Sequence, residues 1–363
     1  MPRMRKAARR ESIQNSLGEG ITTGKFPAGA FLPSEAELGR RYRVSRVTVR
    51  AALGRLREQG LIEAKPGVGW QVVSSAPGGN PGQGVAVLAV ASHFAAQVFA
   101  GIKQHLERAG SGWTASLTPL EGGLLDAHPL TLWVSLENLA GLIFFSVRAL
   151  PALWVDEIAK AKLPVVCTGC PEHASYDTVC TDNVRGMELL AAELLRRGHR
   201  RIGLVTSTDL EERDPCFHLR RIGFEQAMNR AGAQPTCIAA PHNYYVGPQE
   251  ERLIGDWMDR ERPTCLIGAC DSIAVQLLTL LERRGLRVPH DISLAGFDHT
   301  REFDGVLPRF GFRALTTVAQ PWQEIGRLAA QRLLARRRGE DAPPTLTLIP
   351  PAVIAGDSVK DLA

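Results

Sequence analysis

Cysteine is absent from the first 166 residues and from everything after position 270; all seven lie between Cys167 and Cys270. An odd number of thiols fits a reducing compartment better than a disulfide framework. The basic start, Met1-Pro-Arg-Met-Arg-Lys6, is not followed by an apolar stretch, so a secretory signal is not expected and the chain reads as cytoplasmic. Cys167-Thr-Gly-Cys170 has CxxC spacing, yet no second CxxC or HxxxH pair completes a four-ligand zinc site, and no metal is expected. No apolar run approaches the roughly 18–20 residues of a membrane-spanning helix. The longest, Val85–Ala91 and Leu142–Phe145, have the length of buried strands. Walker A, GxSxG, HExxH and GxGxxG patterns are also missing, since Gly67-Val-Gly69 lacks a third glycine. The nine histidines show no nucleophile–base spacing, so neither catalysis nor a cofactor is expected.

What remains is a chain of 363 residues, 44% hydrophobic and 22% charged, which implies a globular protein of two or three domains. Its net charge of +5 is unevenly spread. Residues 1–76 hold 14 Lys and Arg against 6 Asp and Glu, whereas the remainder holds 29 against 32. A small basic head on a slightly acidic body suits binding to a polyanion.

The head has the pattern of a winged helix-turn-helix. Ile13, Leu17 and Ile21 recur at helical spacing over 11–24. Ser34-Glu-Ala-Glu37 is a capping box opening a short helix that ends near Tyr42. Arg43-Val44 makes the turn, and Ser45 caps a third helix reaching about Gln59, where Gly60 stops it. Two short strands, 61–63 and 71–73, flank a basic, glycine-bearing tip at Lys65 and Gly67. Such a unit inserts its second turn-flanking helix into a DNA major groove. Arg46, Thr48 and Arg50 fall on the end of that helix that meets base edges, and an arginine fork matches the acceptor pair of guanine. Ser45, Arg40 and Arg41 suit phosphate contacts, Ser34 and Lys65 are further expected DNA contacts, and Gly67 lets the backbone approach closely.

Leu32-Pro-Ser-Glu-Ala-Glu-Leu38, Val44-Ser-Arg-Val-Thr-Val-Arg50, Ala52-Leu-Gly-Arg-Leu56, Gly60-Leu-Ile62 and Gly67-Val-Gly69 stand in that order. This stretch resembles the winged-helix domain of the GntR family of bacterial transcription regulators. The resemblance implies DNA contacts at positions 36, 45, 46, 48, 50 and 67. Ala36 stands where many members carry arginine, and Trp70 replaces a small polar residue after the wing.

Residues 1–73 are thus expected to form the DNA-binding head. The Gly- and Pro-rich segment 74–84 is expected to be a flexible linker. Residues 85–363 form the body, where apolar strands alternate with amphipathic helices: 85–91, 113–117, 141–146, 163–167, 201–206, 236–240, 263–268 and 291–296 read as strands. Helices are expected at 95–109, 151–161, 183–197, 218–231, 247–260, 272–284 and 321–338, with a helical region running up to Leu139. Alternation of this kind implies an α/β body of parallel sheets, two lobes with a ligand cleft between them.

Thr181-Asp-Asn183, Gly198-His-Arg-Arg-Ile-Gly203, Arg220-Arg-Ile-Gly-Phe224, Asp291-Ile-Ser-Leu-Ala-Gly-Phe-Asp298 and Leu315-Thr-Thr-Val-Ala-Gln-Pro321 make this body similar to the effector domain of LacI/GalR-type repressors, itself like periplasmic sugar-binding proteins. The resemblance implies a small-molecule effector, a sugar or related polyol. A sugar calls for bidentate acceptors and donors and an aromatic face. Asp182, Arg220, Asp271 and Asp298 supply the polar groups at strand ends and helix starts. Phe94, just after the first strand, and Tyr244 or Tyr245 in the 241–248 loop could stack on the ligand, and Ser92 is a further expected ligand contact beside Phe94. Gly169 and Cys270 depart from the family's usual Asp and Asn.

A GntR-like head on a LacI-like body resembles arabinose-responsive repressors in architecture. The expectation is a homodimeric repressor whose affinity for a palindromic operator in double-stranded DNA changes with an effector. The alternatives are a constitutive DNA-binding protein with a degenerate pocket, and an α/β enzyme with a regulatory head.

Overall fold

The computed structural model describes residues 13–14, 16–18, 20–21, 26, 30–42, 44–58, 61–65, 69–72, 83–90, 92–110, 112–120, 129–132, 134, 136, 139–147, 150–169, 175–240 and 247–362. The expected tip glycine Gly67, most of the linker, and Tyr244 and Tyr245 lie outside these residues. The chain divides into two compact units, each assembled from separate segments. One comprises Met1–Thr168, Ser175–Asp177 and Gly326–Pro344; the other comprises Gly169–Ala174, Thr178–Ile325 and Thr345–Ala363.

The first unit begins with the winged helix. Its described residues between 13 and 21 are helical, followed by α1 (Glu35–Tyr42), α2 (Arg46–Glu58), β1 (Ile62–Lys65) and β2 (Gly69–Val72). Val49, Leu53 and Leu56 repeat at helical spacing and are buried with Ile13, Leu17 and Leu38, which is why the helices close on one another. The two wing strands pair antiparallel with Glu63 opposite Gln71. A third segment joins them: Leu32 donates its amide to Trp70 and Val72 donates to Ala30.

The remainder of this unit is α/β. Strands β3 (Gly84–Val90), β4 (Thr114–Leu120), β5 (Leu139–Phe145) and β6 (Val165–Thr168) lie in the order β6-β5-β3-β4, all parallel. The helices α3 (His93–Ala109) and α4 (Ala152–Ala161) connect them, and Leu88, Leu142, Phe144, Trp154 and Ile158 share one core. Strand β3 begins at Gly84, one residue earlier than expected, because Gly84 pairs with both Thr114 and Leu139. The expected helical region before Leu139 is not found in the described residues. There, β4 extends to Leu120 and a single 3-10 turn follows at Leu130–Leu132. Pro119 is tolerated because β4 is an edge strand, where a missing amide leaves no ladder bond unmade.

The second unit holds a parallel sheet in the order β11-β10-β8-β9, built from β8 (Ile202–Ser207), β9 (Thr236–Ala240), β10 (Cys265–Gly268) and β11 (Ser293–Ala295). Helices α5 (Asn183–Arg196), α6 (Thr208–Arg213), α7 (Pro215–Arg230), α8 (Pro248–Glu261) and α9 (Asp271–Arg283) belong to the same unit. Its core runs through Leu204, Phe224, Trp257, Leu266, Leu277 and Phe297. A β7 (Asp177–Thr181) to β13 (Leu346–Ile349) parallel pair and a β12 (Thr317–Ala319) to β14 (Ala352–Ile354) antiparallel pair complete it. The last three of these strands have no counterpart among the expected elements, since three or four residues are too few to set a period. Helix α7 starts three residues before the expected 218. Pro215 occupies its first turn, and the Asp214 carboxylate accepts the Cys216 amide at 2.9 Å, a combination that favours helix initiation.

Candidate functional site

In the winged helix, sequence-local chemistry sets both helix starts. Ser34 and Glu37 form the expected capping box. The Ser34 amide and hydroxyl each donate to Glu37 Oε2 at 2.8 Å, and the Glu37 amide donates to Ser34 Oγ at 3.3 Å. These bonds, those to Ser34 first, hold the Glu37 carboxyl below its usual range. At the next start, Ser45 Oγ accepts the Thr48 amide at 3.4 Å and lies 3.0 Å from Thr48 Oγ1. Ser34, Ser45 and Thr48 therefore shape the turn as well as its surface.

Burial of Val49, Ala52, Leu53 and Leu56 turns the opposite side of α2 to solvent, where Arg46 and Arg50 are exposed. Val47, which the sequence did not single out, is 77% exposed between them. Arg40 and Arg41 are exposed on α1. Lys65 is exposed on β1 and pairs with Glu63 at 2.6 Å. Arg50 is not a free arm: its Nε donates to Glu35 Oε2 at 2.8 Å and Oε1 at 3.0 Å. The Trp70 indole lies 3.5 Å from the same Oε1. No spacing rule links positions 35, 50 and 70, so this trio escaped the sequence reading.

The second unit brings Arg220 and Asp298 together. Arg220 is only 4% exposed. It donates from Nη2 to Asp298 Oδ1 at 2.9 Å, from Nε to Asn183 Oδ1 at 2.9 Å and from Nη1 to the Ala269 carbonyl at 2.8 Å. Its guanidinium carbon stands 3.9 Å from the Phe297 ring centre and 5.0 Å from that of Phe217. Burial works against the charge on Arg220, and Asp298 is the largest of the groups that more than restore it. Burial pushes the Asp298 carboxyl up, against Arg220 and Gln320. Gln320 donates to Asp298 Oδ1 at 2.7 Å. The backbone is left-handed at both Asp298 (φ 112°) and His299 (φ 55°), conformations that non-glycine residues adopt at a cost and that concentrate at functional sites. Asn183 and Gln320 were missed because they lie far from Arg220 in sequence.

Asp271 faces different partners. Its Oδ1 accepts from Thr317 Oγ1 at 2.6 Å and its Oδ2 from the Thr300 amide at 2.6 Å. It is the first residue of α9, and Cys270 occupies the cap position. Burial first, then Asp298, pushes its carboxyl up to about 7. Asp271 also lines a cavity of about 210 Å³ with His299, Arg301 and Arg313. Asp182 caps α5, accepting the Arg185 amide at 2.9 Å. Ser92 and Phe94 belong to the first unit. Ser92 is exposed before α3 and makes no side-chain cap bond, while Phe94 is half-buried in that helix's first turn. Among the described residues, no cluster of His, Cys, Asp and Glu could hold a metal ion, and no helix is long and apolar enough to cross a membrane.

Comparison with known proteins accounts for both parts. The family of bacterial regulatory proteins named gntR matches residues 9–72, and the periplasmic binding protein-like domain matches residues 191–359. The ribose operon repressor of Haemophilus influenzae is 26% identical over 77% of this chain and 81% of its own length. The transcriptional regulator DegA of Bacillus subtilis is 29% identical over 57% of this chain, and the match spans 60% of DegA. A ribose-bound LacI family transcriptional regulator from Enterococcus faecium shares the fold with a TM-score of 0.59. It is 22% identical and covers 77% of this chain and all of its own. The chain thus joins a head that matches the gntR family of bacterial regulatory proteins to a body that matches, over residues 191–359, the periplasmic binding protein-like domain.

Proposed function

We propose that this protein is a ligand-responsive transcriptional repressor of the cytoplasm. Residues 1–73 read DNA, 74–84 act as a tether, and 85–363 bind a small effector and dimerise. The observation that carries the effector reading is the Arg220 cluster. A buried guanidinium clamped by Asn183, Asp298 and two aromatic rings is a costly arrangement for stability alone. It presents matched donors and acceptors of the kind that vicinal hydroxyls require. A sugar is the class favoured, since relatives include a ribose operon repressor and a ribose-bound regulator. Arg46, Thr48 and Arg50 read bases in this scheme, while Ser34, Arg40, Arg41, Ser45, Lys65 and Gly67 hold phosphates. A dimer places two heads on a palindromic operator, which one head alone could not read as a symmetric site. The role is binding rather than catalysis.

The test is a thermal-shift screen of the full chain against pentoses, hexoses, uronic acids, polyols and their phosphates. A ligand at about 100 times its Kd adds about 2.7 kcal/mol of stability. The compound that stabilises the chain should also change its affinity for its own promoter, by about 5- to 150-fold. A compound that stabilises the chain without changing DNA affinity contradicts the regulatory reading. Turnover of that compound would favour an enzyme.

A further inference from the structure

We infer that Glu35 and Trp70 are positioning residues for base reading: together they fix which edge of Arg50 faces DNA. The inference rests on the DNA-reading role proposed for α2, and it concerns two residues for which that role assigns no task.

The two acids in the first turn of α1 have different partners. Glu37 is committed to Ser34. Glu35 reaches instead to α2, where both its oxygens take Arg50 Nε at 2.8 and 3.0 Å. Arg50 is 68% exposed and Glu35 only 22%, so the pair joins a sheltered acceptor to a cation at the surface. Trp70 supplies the third member. Its backbone is fixed on both sides, pairing with Ala64 across the wing and accepting the Leu32 amide at 2.8 Å. The ring itself packs on the head's core. From that fixed place the indole nitrogen points at Glu35 Oε1 at 3.5 Å.

Recognition of guanine uses two parallel N–H groups of the guanidinium. With Nε held by Glu35, the fork left for DNA is the terminal Nη1 and Nη2 pair. Pinning also removes much of the rotamer freedom that an arginine loses on binding. The wing therefore contributes to sequence reading at a distance, through Trp70 and Glu35, in addition to any contact of its own. Because Glu35 carries a negative charge beside a surface meant for phosphate, it should lower affinity for DNA in general while raising discrimination. Replacing a residue needed only for folding would instead lower both.

The experiment uses the full chain, a duplex selected by it from randomised DNA, and a mixed-sequence duplex of equal length. Binding is followed by fluorescence anisotropy at fixed salt. Glu35→Gln should bind the selected duplex about tenfold more weakly, bind the mixed duplex as well as or better than the parent, and relax selection at one base pair per half-site. Trp70→Phe keeps the aromatic packing and loses the indole N–H; it should relax the same base pair to a smaller degree, and circular dichroism of both variants should match the parent. Selection of an unchanged motif by Glu35→Gln with unchanged affinity overturns the positioning role and leaves DNA reading intact. Tighter binding of the selected duplex by Glu35→Gln means that Glu35 competes with DNA for Arg50, and also overturns it. If the parent chain enriches no motif, the DNA-reading role itself fails and this inference falls with it.

Discussion

Asp298 accepts a hydrogen bond from Arg220 Nη2 at 2.9 Å across 78 residues of sequence, and both side chains are buried or nearly so. The residue just before Asp298, Phe297, stacks on the same guanidinium. One short segment after β11 thus provides both the counter-charge and the apolar lid for a buried cation. The pair belongs to the core's electrostatics as much as to any ligand site.

Removing one partner should therefore be expensive. Asp298→Ala leaves Arg220 buried without its carboxylate and should cost about 3–5 kcal/mol. Asp298→Asn, which keeps an acceptor for Gln320 and Arg220, should cost less. Urea unfolding followed by tryptophan fluorescence distinguishes them; equal small losses would mean that water reaches Arg220 freely.

Gly223, one turn after Arg220 on α7, packs directly against Val184 of α5. A Cβ there would meet the Val184 carbonyl oxygen at 2.3 Å, and both atoms belong to packed helices. Gly223→Ala should push the helices apart, cost about 1–3 kcal/mol and lengthen the Arg220–Asn183 bond. A weakened response to effector, alongside the lower stability, is the expected result in the thermal-shift assay.

Asp271 predicts a pH dependence of stability. Its folded-state pKa is about 7, above the roughly 3.9 of an exposed aspartate. The protonated form is thus favoured by folding. The contribution is fully present below about pH 3.9 and is lost as pH rises through 7, at up to about 1.4 kcal/mol per pH unit within that window. Asp271→Asn should flatten the slope of the urea midpoint between pH 5 and 7.5. A parent protein whose slope the substitution leaves untouched would place the titration elsewhere.

In the head, Ser34→Ala removes the acceptor of the Glu37 amide and should lower stability by about 1 kcal/mol. The loss should appear in thermal melts without DNA, because the cap acts inside the fold. If the melt is unchanged and only DNA affinity falls, Ser34 serves the phosphate role alone.

Arg50→Ala should lose about 1–3 kcal/mol on the selected operator and relax one base pair. Arg41→Ala should weaken all sequences alike and lower the salt slope by about one. Titrations at several salt concentrations separate the two; an unchanged operator preference in Arg50→Ala would remove α2 from the groove.

Features that depend on neighbours a few residues apart are written in the sequence. The capping box at Ser34 and Glu37, the cap at Ser45 and the buried stripe of α2 follow from spacing and local hydrogen bonding, and the structure has them where spacing put them. The alternation of strands and helices was legible for the same reason, because burial on both faces writes apolar runs into parallel strands. Tertiary structure alone decided which distant groups meet. That Arg220 is shared by Asn183, Asp298 and Phe297, that Asp271 serves Thr300 and Thr317, and that Glu35 reaches Arg50 beside Trp70 all depend on chain segments brought together by packing. No periodicity encodes such meetings. Short strands such as β12, β13 and β14 fall on the same side of the divide: their pairing is imposed by partners across the sheet, while three or four residues carry too little pattern to announce it.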